Sequence, residues 1–401
     1  MKLIYITSSL PYGTAEPFLI PEVLELRATD HEVAVVPLYP RGRIVHKRAE
    51  QLYHSEFCKP LISWEVLLTA IRVFLRAPLR SLRALGLLLT LNPKHLAKNL
   101  IAYPKGLWLV GVARKWGAQH IHAHWAATTA SMAMVASEVS GIPWSLTAHR
   151  WDIVENNLLR RKALHARFFR CISQKTLDMA EERGVPRDRL RVLHLGIELP
   201  RVTVTERSNK LTSLLENFVV MCPAAFNAIK GHKYIIEAMA RLHSDVELWL
   251  AGEGELRPLV EKQVKDLGLT ERVRFLGHLP HDELLWLYRD GRVGATVLPS
   301  VDLNGGASEG IPVSLMEAMA FGIPVVSTST GGIPELLEGE AGLVVPPGES
   351  KALAEAIDDL VKDPELRRTM GQRGRQRVEK EFSVKAVVPR LVEWFSLCGA
   401  R

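Results

Sequence analysis

Short apolar runs alternate with amphipathic stretches and polar loops along most of this 401-residue chain. Runs of mostly apolar residues occur at 3–7, 31–37, 144–148, 218–222, 248–251 and 293–298. Apolar runs of this length, bounded by loop residues, are typical of strands that are buried on both faces. The stretches between them have the length and pattern of helices. The alternation predicts an α/β fold built on parallel sheets.

Length and composition add the number of domains and the expected cellular compartment to the predicted α/β fold. A chain of 401 residues is long for one hydrophobic core, so we expect two domains joined by the polar, poorly patterned stretch at about 200–217. The apolar run after Met1-Lys2 is too short for a signal peptide, and no run approaches the roughly 20 residues that span a bilayer. Reduced thiols in a cytoplasmic protein are expected from four scattered cysteines: Cys58, Cys171, Cys222 and Cys398.

Residues 308–326 carry two carboxylates across the junction of a loop and a helix. Ile311-Pro312 suits a helix start, because proline at the first helical position gives up only an N–H that lacks a helical partner. Glu309 precedes this helix, and Glu317 lies more than one turn inside it. Free amides at a helix start attract phosphate, and carboxylates accept hydrogen bonds from sugar hydroxyls. Either acid alone fits a helix-dipole partner or a solvated position, but the pair predicts a sugar-phosphate site.

This segment resembles the Glu-x7-Glu signature of the retaining, nucleotide-sugar-dependent glycosyltransferases of family 4, also called glycosyl transferases group 1. The resemblance continues, in order and spacing, at 248–256, 272–277, 298–300, 331–335 and 342–348. It implies the GT-B fold, an α/β architecture of two Rossmann-like domains with parallel sheets that face each other across a cleft. Residues 1–200 are then the acceptor domain, 201–381 the nucleotide-sugar domain, and 382–401 a helix that packs back on the first domain.

The resemblance also implies roles for single residues. Lys230 would bind the donor diphosphate and stabilise charge on the departing nucleotide. Glu309 would contact hydroxyls of the donor sugar, and Glu317 those of the ribose. His149, in a Thr-x-His motif at a strand end, would contact the donor sugar or orient the acceptor. Lys230, Glu309 and His149 are the expected catalytic residues. The donor-binding set is completed by Gly13, Thr14, Gly310, Ile311, Val313 and Ser314, and no metal or other cofactor is expected.

Two positions depart from the family pattern. Ala225 stands where an arginine, the usual second cation for the diphosphate, is expected five residues before Lys230. Arg257, after the glycine turn, is a candidate substitute. The first loop contains one glycine, Gly13, and Thr14 occupies the place of the usual second one. Stabilisation of the leaving group is therefore expected to depend mainly on Lys230 and on helix amides.

His122 and His124 alternate on a predicted strand. Such a pair suggests metal binding, but the sequence offers no third ligand at a suitable spacing. We therefore favour a structural role for both histidines.

Residues 61–117 combine apolar clusters with positive charge. Nine lysines and arginines accompany one acid, Glu65, in this segment, whereas the whole chain has a net charge of +7. Pro78 is expected to break the segment into two helices. Four arginines recur there at helical spacing: Arg72, Arg76, Arg80 and Arg83. A surface that meets anionic lipid is the favoured interpretation, a solvated basic face is the alternative, and no motif supports nucleic-acid binding.

The predicted function is retaining transfer of a sugar from a nucleotide diphosphate sugar to a glycan acceptor, which is lipid-linked in many members of the family. Residues 309–320 and 147–153 resemble the branch that builds bacterial exopolysaccharide and cell-surface glycans. The expected location is the cytoplasm, with peripheral contact at the inner face of the cell membrane. No carboxylate for a double displacement is identifiable, so a same-face displacement assisted by the leaving phosphate is preferred.

Three other functions remain as alternatives. A nucleotide-sugar epimerase would share the GT-B fold but would use no acceptor. A non-catalytic nucleotide-sugar-binding partner in polymer assembly is compatible with Ala225. A dinucleotide-dependent oxidoreductase is disfavoured, because the turn after Leu250 lacks the full glycine fingerprint.

Overall fold

The computed structural model describes residues 1–200, 217–303 and 309–397. Most of the predicted connection at about 200–217, together with Ser308 and Cys398, lies outside these ranges. The chain divides into two compact units. Unit 1 comprises Met1–Gly196 and the last helix of the chain, and unit 2 comprises Ile197–Ser383.

Unit 1 is built on a parallel sheet, in which six strands are described. The strands are β1 (Lys2–Thr7), β2 (Glu32–Pro37), β3 (His120–His124), β4 (Trp144–Ala148), β5 (Phe169–Cys171) and β6 (Leu190–Val192). Their order across the sheet is β2-β1-β3-β4-β5-β6, so the strand order reverses between β1 and β3. Ligands of such sheets bind at this switch point, beyond the carboxyl ends of the strands.

Helices cover both faces of this sheet. Those preceding β6 are α1 (Ile20–Ala28), α2 (Trp64–Arg76), α3 (Pro78–Gly86), α4 (Pro93–Trp116), α5 (Thr128–Ser140), α6 (Arg150–Glu155), α7 (Leu159–His165) and α8 (Gln174–Glu182). Alternate residues of β1 enter different cores: Ile4 and Ile6 pack with α4 and α5, whereas Leu3 and Tyr5 pack with α1. This alternation follows from the two-residue period of a strand.

The predicted break at Pro78 is confirmed. Helix α2 ends at Arg76 and α3 begins at Pro78, because proline removes an N–H donor and its ring clashes with the preceding turn. Ser63 caps α2 by accepting a hydrogen bond from the backbone N–H of Val66 at 3.3 Å.

Unit 2 repeats this architecture. Its described strands are β7 (Phe218–Pro223), β8 (Val246–Ala251), β9 (Val273–Gly277), β10 (Ala295–Leu298), β11 (Val325–Thr328) and β12 (Leu343–Val345). All pair in parallel in the order β12-β11-β10-β7-β8-β9, so the strand order reverses between β7 and β10. The helices are α9 (His232–Met239), α10 (Arg257–Asp266), α11 (His281–Asp290), α12 (Val313–Ala320), α13 (Ile333–Leu336), α14 (Ser350–Lys362) and α15 (Pro364–Arg377).

The predicted first residue of α12 was wrong by one position. Pro312 has φ −75° and ψ 120°, so its backbone is extended and it precedes the helix, which begins at Val313. The carbonyl of Pro312 nevertheless accepts the first N–H bonds of the helix, from Leu315 and Met316 at 3.2 Å.

The chain ends with helix α16 (Val384–Leu397), which begins two residues after the predicted start at 382. Residues Val378–Phe382 instead form a π-helical turn. Helix α16 belongs to unit 1, where Val388, Leu391 and Phe395 pack against α1. Within the ranges given above, no helix combines the length and hydropathy needed to cross a bilayer.

Candidate active site

Lys230 and Glu309 meet at the switch point of the unit 2 sheet. Lys230 follows β7 and Glu309 follows β10, and these strands are hydrogen-bonded neighbours. The Lys230 Nζ lies 2.6 Å from Glu309 Oε2, and both side chains are largely buried. Ser300 Oγ donates to the same oxygen at 3.2 Å. Glu309 Oε1 has no partner among the described residues, so it can accept a hydrogen bond from a ligand.

Two glycines fix the loops that carry this pair. Gly231 has φ +64°, and a Cβ there would lie 2.0 Å from the carbonyl oxygen of Pro299. Gly331 has φ +55°, and its Cβ would lie 1.7 Å from the carbonyl oxygen of Glu309. Only glycine allows both the left-handed backbone and such close approach. The loops of Lys230, Ser300 and Glu309 therefore pack backbone against backbone.

The first turn of α12 adds hydrogen-bond donors next to Glu309. The N–H groups of Val313 and Ser314 precede the first helical acceptors and have no partner within the helix, so they can bind an anion. Gly310 and Ile311 link this turn to the glutamate. The Gly310 carbonyl accepts a hydrogen bond from Gly332 N at 3.2 Å, which holds the link in place.

Glu317 lies in the second turn of α12, and its carboxylate is engaged. His281 Nε2 lies 2.7 Å from Glu317 Oε1, with the glutamate side chain largely buried and the histidine largely exposed. A ligand hydroxyl that binds Glu317 would therefore use Oε2 or displace the histidine.

Ala225 and Arg257, the candidate substitute for the expected arginine, follow different strands of unit 2. Ala225 is exposed in the loop after β7, and its carbonyl accepts a hydrogen bond from Asn227 N at 2.8 Å. Arg257, the candidate substitute, forms ion pairs with Glu253 at 2.6 Å and Glu261 at 2.8 Å. Its charge is thus shared between two carboxylates, which disfavours Arg257 as a diphosphate ligand.

In unit 1 the loop after β1 is organised by the buried carboxylate of Glu16. This carboxylate accepts a hydrogen bond from Trp125 Nε1 at 2.5 Å. The indole of Trp125 stacks on the His149 ring with centroids 4.2 Å apart. Glu16 also accepts backbone N–H groups of this loop at 2.6–3.0 Å, those of Ser8, Ser9 and Leu10. Glu16 therefore joins the loops that follow β1 and β3 at the switch point, and Trp125 connects them to His149 in the loop after β4.

Gly13 and Thr14 lie further along the same loop. Gly13 has φ +72° and donates its N–H to the carbonyl of Arg43 at 2.9 Å, and Thr14 is exposed. These two residues and His149 belong to unit 1, whereas Lys230, Glu309 and Glu317 belong to unit 2.

His149 follows β4 directly and is almost fully buried. Its backbone N–H donates to Asp152 Oδ2 at 2.9 Å, and its Nε2 lies 2.7 Å from His124 Nε2. Burial, reinforced by the charge of Arg170, lowers the pKa of His149 to about 3. Burial and the nearby His149 lower the pKa of His124 well below its usual value. Both rings are therefore neutral near pH 7.

The ring nitrogens of His122 are occupied by hydroxyl groups. Nδ1 lies 2.8 Å from Ser145 Oγ, and Nε2 lies 2.9 Å from Thr147 Oγ1. These bonds suit a structural histidine, because a metal ligand needs a free nitrogen lone pair.

Sequence reasoning missed four residues of these sites. Ser300 and Gly331 were noticed only as parts of motifs, and their contacts with Glu309 depend on loops that are distant in the chain. Glu16 lies in the first loop, where nothing in the sequence distinguishes it from a solvated acid. His281 carried no signal, since nothing in the sequence indicates that α11 begins beside Glu317.

A second surface of unit 1 combines exposed apolar groups with cations. We call it the apolar face of α2–α3, defined by Trp64, Leu68, Ile71, Leu75, Leu79 and Leu82, all exposed. Arg72, Arg76 and Arg80 are exposed on the same helices.

Helix α3 also borders a cavity of about 500 Å³. Its lining includes five basic side chains: Arg80, Arg83, His165, Arg167 and Arg189. Glu138 also lines it and pairs with Arg83 at 3.1 Å. The cavity adjoins Pro143 and Trp144, where β4 begins, so it lies at the opposite end of that strand from His149.

Comparison with known proteins identifies two domain types. Residues 23–201 match the model described as Glycosyltransferase Family 4, and residues 204–377 match Glycosyl transferases group 1. The chain is 33% identical over 218 residues to the lipopolysaccharide core biosynthesis glycosyltransferase LpsE of Rhizobium meliloti, covering 54% of this chain and 59% of that protein. It is 30% identical over 214 residues to the amylovoran biosynthesis glycosyltransferase AmsK of Erwinia amylovora, covering 52% and 51%. The matched regions thus span little more than half of these relatives.

Solved structures share the fold across the whole chain. A glycosyltransferase from Rickettsia africae has a TM-score of 0.71 at 15% identity, covering 100% of this chain and 99% of its own. Anabaena HepE in complex with UDP has a TM-score of 0.69 at 19% identity, covering 99% and 100%.

Proposed function

Because this chain belongs to the family 4 (group 1) glycosyltransferases and has their GT-B fold, we propose that it transfers a sugar from a nucleotide diphosphate sugar to a glycan acceptor, with retention at the anomeric carbon. The observation that carries the proposal is the Lys230–Glu309 pair beside the start of α12. It combines a cation, a carboxylate oxygen that can accept a hydrogen bond and free N–H groups. These are the groups that a sugar diphosphate needs.

In the proposed complex, unit 2 binds the donor and unit 1 binds the acceptor. Lys230 and the N–H groups of Val313 and Ser314 hold the diphosphate, Glu309 Oε1 accepts a donor-sugar hydroxyl, and Glu317 accepts ribose hydroxyls. The bond between the anomeric carbon and the phosphate oxygen breaks. The acceptor oxygen bonds to the same face of that carbon, and its proton passes to the departing phosphate.

The cation of Lys230 offsets the charge that develops on this phosphate, so we propose that transfer needs no metal ion. The ion pair between Lys230 and Glu309 also has a structural role. Each of the two largely buried charges has the other as its partner, which avoids leaving either one unpaired.

The relatives LpsE and AmsK are named as glycosyltransferases of lipopolysaccharide core and amylovoran biosynthesis. Their similarity supports a role of this chain in exopolysaccharide or cell-surface polysaccharide synthesis. The HepE complex supports UDP as a nucleotide to test first. The acceptor proposed is a lipid-linked glycan.

A lipid-linked acceptor would be reached from a membrane surface, and the apolar face of α2–α3 supports such contact. Trp64, Leu75 and Leu79 are 80%, 72% and 82% exposed. Leucine side chains interleaved with arginines match an interface of hydrocarbon and anionic headgroups. The basic cavity beside α3 is suited to a headgroup phosphate. We propose that the protein acts in the cytoplasm as a peripheral protein of the inner membrane face.

The proposal is tested in two steps. Thermal shift with UDP-, GDP- and ADP-sugars identifies the donor, because a ligand that binds the native state raises the melting temperature. Incubation of that donor with lipid-linked glycans, in EDTA, should then give a product with the anomeric configuration of the donor. An inverted product overturns the mechanism, and an isomerised donor without transfer indicates an epimerase. Nucleotide binding without transfer or donor hydrolysis indicates a non-catalytic binding partner.

A further inference from the structure

A continuous chain of buried hydrogen bonds leads from the interior of unit 1 to His149. Arg170 Nη1 donates to Glu22 Oε2 at 2.8 Å, and Tyr5 OH donates to Glu22 Oε1 at 2.6 Å. The Tyr5 oxygen lies 3.0 Å from His124 Nδ1, and His124 Nε2 lies 2.7 Å from His149 Nε2. The inner four side chains are fully buried, whereas His149 retains slight exposure at the carboxyl end of β4.

Glu22, at the inner end of this series of hydrogen bonds, determines which group donates in each bond. Glu22 pairs with the guanidinium of Arg170, so its carboxylate is ionised and can only accept. Tyr5 therefore gives its single proton to Glu22. Burial and the charge of Glu22 raise the pKa of Tyr5 well above its usual value, so the phenol keeps this proton.

Each following bond then has one possible donor. The Tyr5 oxygen, having spent its proton, accepts from His124 Nδ1–H. A neutral His124 carries one ring proton, so its Nε2 is an acceptor. His149 must then donate from Nε2–H, which leaves His149 Nδ1 without a proton.

We propose that Arg170, Glu22, Tyr5 and His124 are positioning residues that hold His149 as the neutral Nε2–H tautomer, so that His149 offers bound sugar a hydrogen-bond acceptor and not a proton donor. The role of His149 toward sugar rests on the proposed function, whereas its tautomer does not. The same logic orients the histidine of hydrolase triads, in which a carboxylate selects the tautomer. Here the carboxylate acts through a tyrosine and a second histidine.

The tautomer is measurable without any substrate. Protein labelled with ¹⁵N-histidine gives ring-nitrogen signals that differ according to whether the nitrogen carries a proton, and the spectrum of His149→Gln identifies the His149 signals by their loss. We expect a protonated Nε2 and an unprotonated Nδ1 near pH 7. A protonated Nδ1 in the unsubstituted protein overturns the proposal outright.

Tyr5→Phe tests the chain itself. Without the phenol oxygen, His124 Nδ1–H loses its acceptor, so His124 is expected to move its proton to Nε2 and His149 to become the Nδ1–H tautomer. The matched control is Tyr103→Phe, which removes another hydroxyl of unit 1, bonded to the carbonyl of Ser81 at 2.8 Å. The control should leave the His149 signals unchanged. An unchanged tautomer in folded Tyr5→Phe contradicts the chain.

Kinetics separate this inference from the proposed function. With the donor found by thermal shift, Tyr5→Phe should lower kcat at least about tenfold with little change in the donor KM, since positioned proton acceptors and donors contribute about 10²–10⁴-fold to rate. Normal kcat with a switched tautomer would refute the sugar-facing role and leave the tautomer assignment standing. Absence of transfer in the unsubstituted protein would refute the proposed function alone.

Discussion

The amine of Lys230 and the carboxylate of Glu309 are 2.6 Å apart, although 78 residues of chain separate them. Their loops follow β7 and β10, the two neighbours at which the strand order of unit 2 reverses. Parallel strands end at one edge of a sheet, so the topology brings these loops together. The two charges therefore neutralise each other, and a diphosphate bound as proposed would share Lys230 with Glu309.

This sharing predicts that two substitutions differ in their effect on nucleoside diphosphate binding. Lys230→Met should weaken binding at least about tenfold, because a hydrogen bond to a charged group contributes about 1.5–3 kcal/mol. Glu309→Gln should leave binding equal or tighter, because it frees Lys230 and removes a repelling charge, while kcat falls on the order of 10²-fold. Titration calorimetry and turnover assays measure both. Lys233→Met, an exposed lysine on α9, is the control. Similar weakening by both substitutions would contradict competition for Lys230.

Glu317 and His281 give a second prediction. Glu317→Gln should weaken nucleoside diphosphate binding by about 1–2 kcal/mol if the carboxylate accepts ribose hydroxyls. His281→Ala should not weaken binding, because it removes a group that occupies Oε1. Calorimetry with the matching nucleoside diphosphate distinguishes these results. Loss of affinity in His281→Ala would instead indicate that the histidine contacts the nucleotide or orients Glu317.

Substitution of Gly331 by alanine is expected to destabilise the fold, and the same substitution at Gly339 is the matched control. Gly331→Ala should lower the free energy of unfolding by about 3 kcal/mol or more, because a left-handed alanine costs about 1–2 kcal/mol and its Cβ would also clash with Glu309 O. Gly339 has a similar backbone, φ +71°, with no heavy atom within 4 Å of its Cβ position. Gly339→Ala should therefore show the backbone cost alone in urea denaturation. Equal losses for both variants would show that the loop yields easily to the clash.

The apolar face of α2–α3 predicts binding to vesicles that contain anionic phosphatidylglycerol. Leu75→Asp with Leu79→Asp should weaken binding more than tenfold, because burial of each leucine contributes about 1.5–3 kcal/mol. Leu259→Asp, at a 64% exposed leucine of unit 2, is the matched control. Co-sedimentation should also weaken as salt rises, since the arginine contribution is screened. Equal binding by wild type and the double variant would refute this face as the membrane contact.

The buried histidines predict a loss of stability in acid. Burial lowers the pKa of His120 and His149 to about 3. The unfolded chain binds these protons near pH 6.5 and the folded chain does not. The free energy of unfolding should therefore fall between about pH 6.5 and 3, by about 1.4 kcal/mol per pH unit for each such histidine.

Asp152 partly opposes this trend. Burial raises its pKa to about 7, so the folded state gains a proton as the pH falls from about 7 to 4, before the unfolded state does. In urea denaturation from pH 7 to 4, the free energy of unfolding of His120→Gln should change less steeply with pH than that of the wild type. The difference in slope should correspond to about one proton fewer taken up on unfolding. Tyr103→Phe is the control, because burial raises the pKa of this phenol, so the substitution removes no group that titrates between pH 7 and 4 and should leave the slope unchanged. An unaltered slope in His120→Gln would mean that His120 is protonated in the folded protein.

Local sequence features determined much of the fold. Apolar runs identified parallel strands because both faces of each strand are buried, and Pro78 separated α2 from α3 because proline lacks a backbone donor. The spacing of Glu309 and Glu317 across a helix start was equally local. The start of α12 differed by one residue, because ψ at Pro312 determines whether it joins the helix.

Only the tertiary structure decided which charges meet. Sequence reasoning assigned Lys230 to phosphate and Glu309 to sugar, and it did not predict their mutual pairing or the hydrogen bond from Ser300. Likewise, nothing local to His124 or His149 indicates that their rings meet. The pairing of β3 with β4 brings the two rings together, and His124 in turn contacts Tyr5, which is bonded to Glu22. Such contacts depend on strand order and on close backbone approach at glycines, which bring together groups that are far apart in the chain.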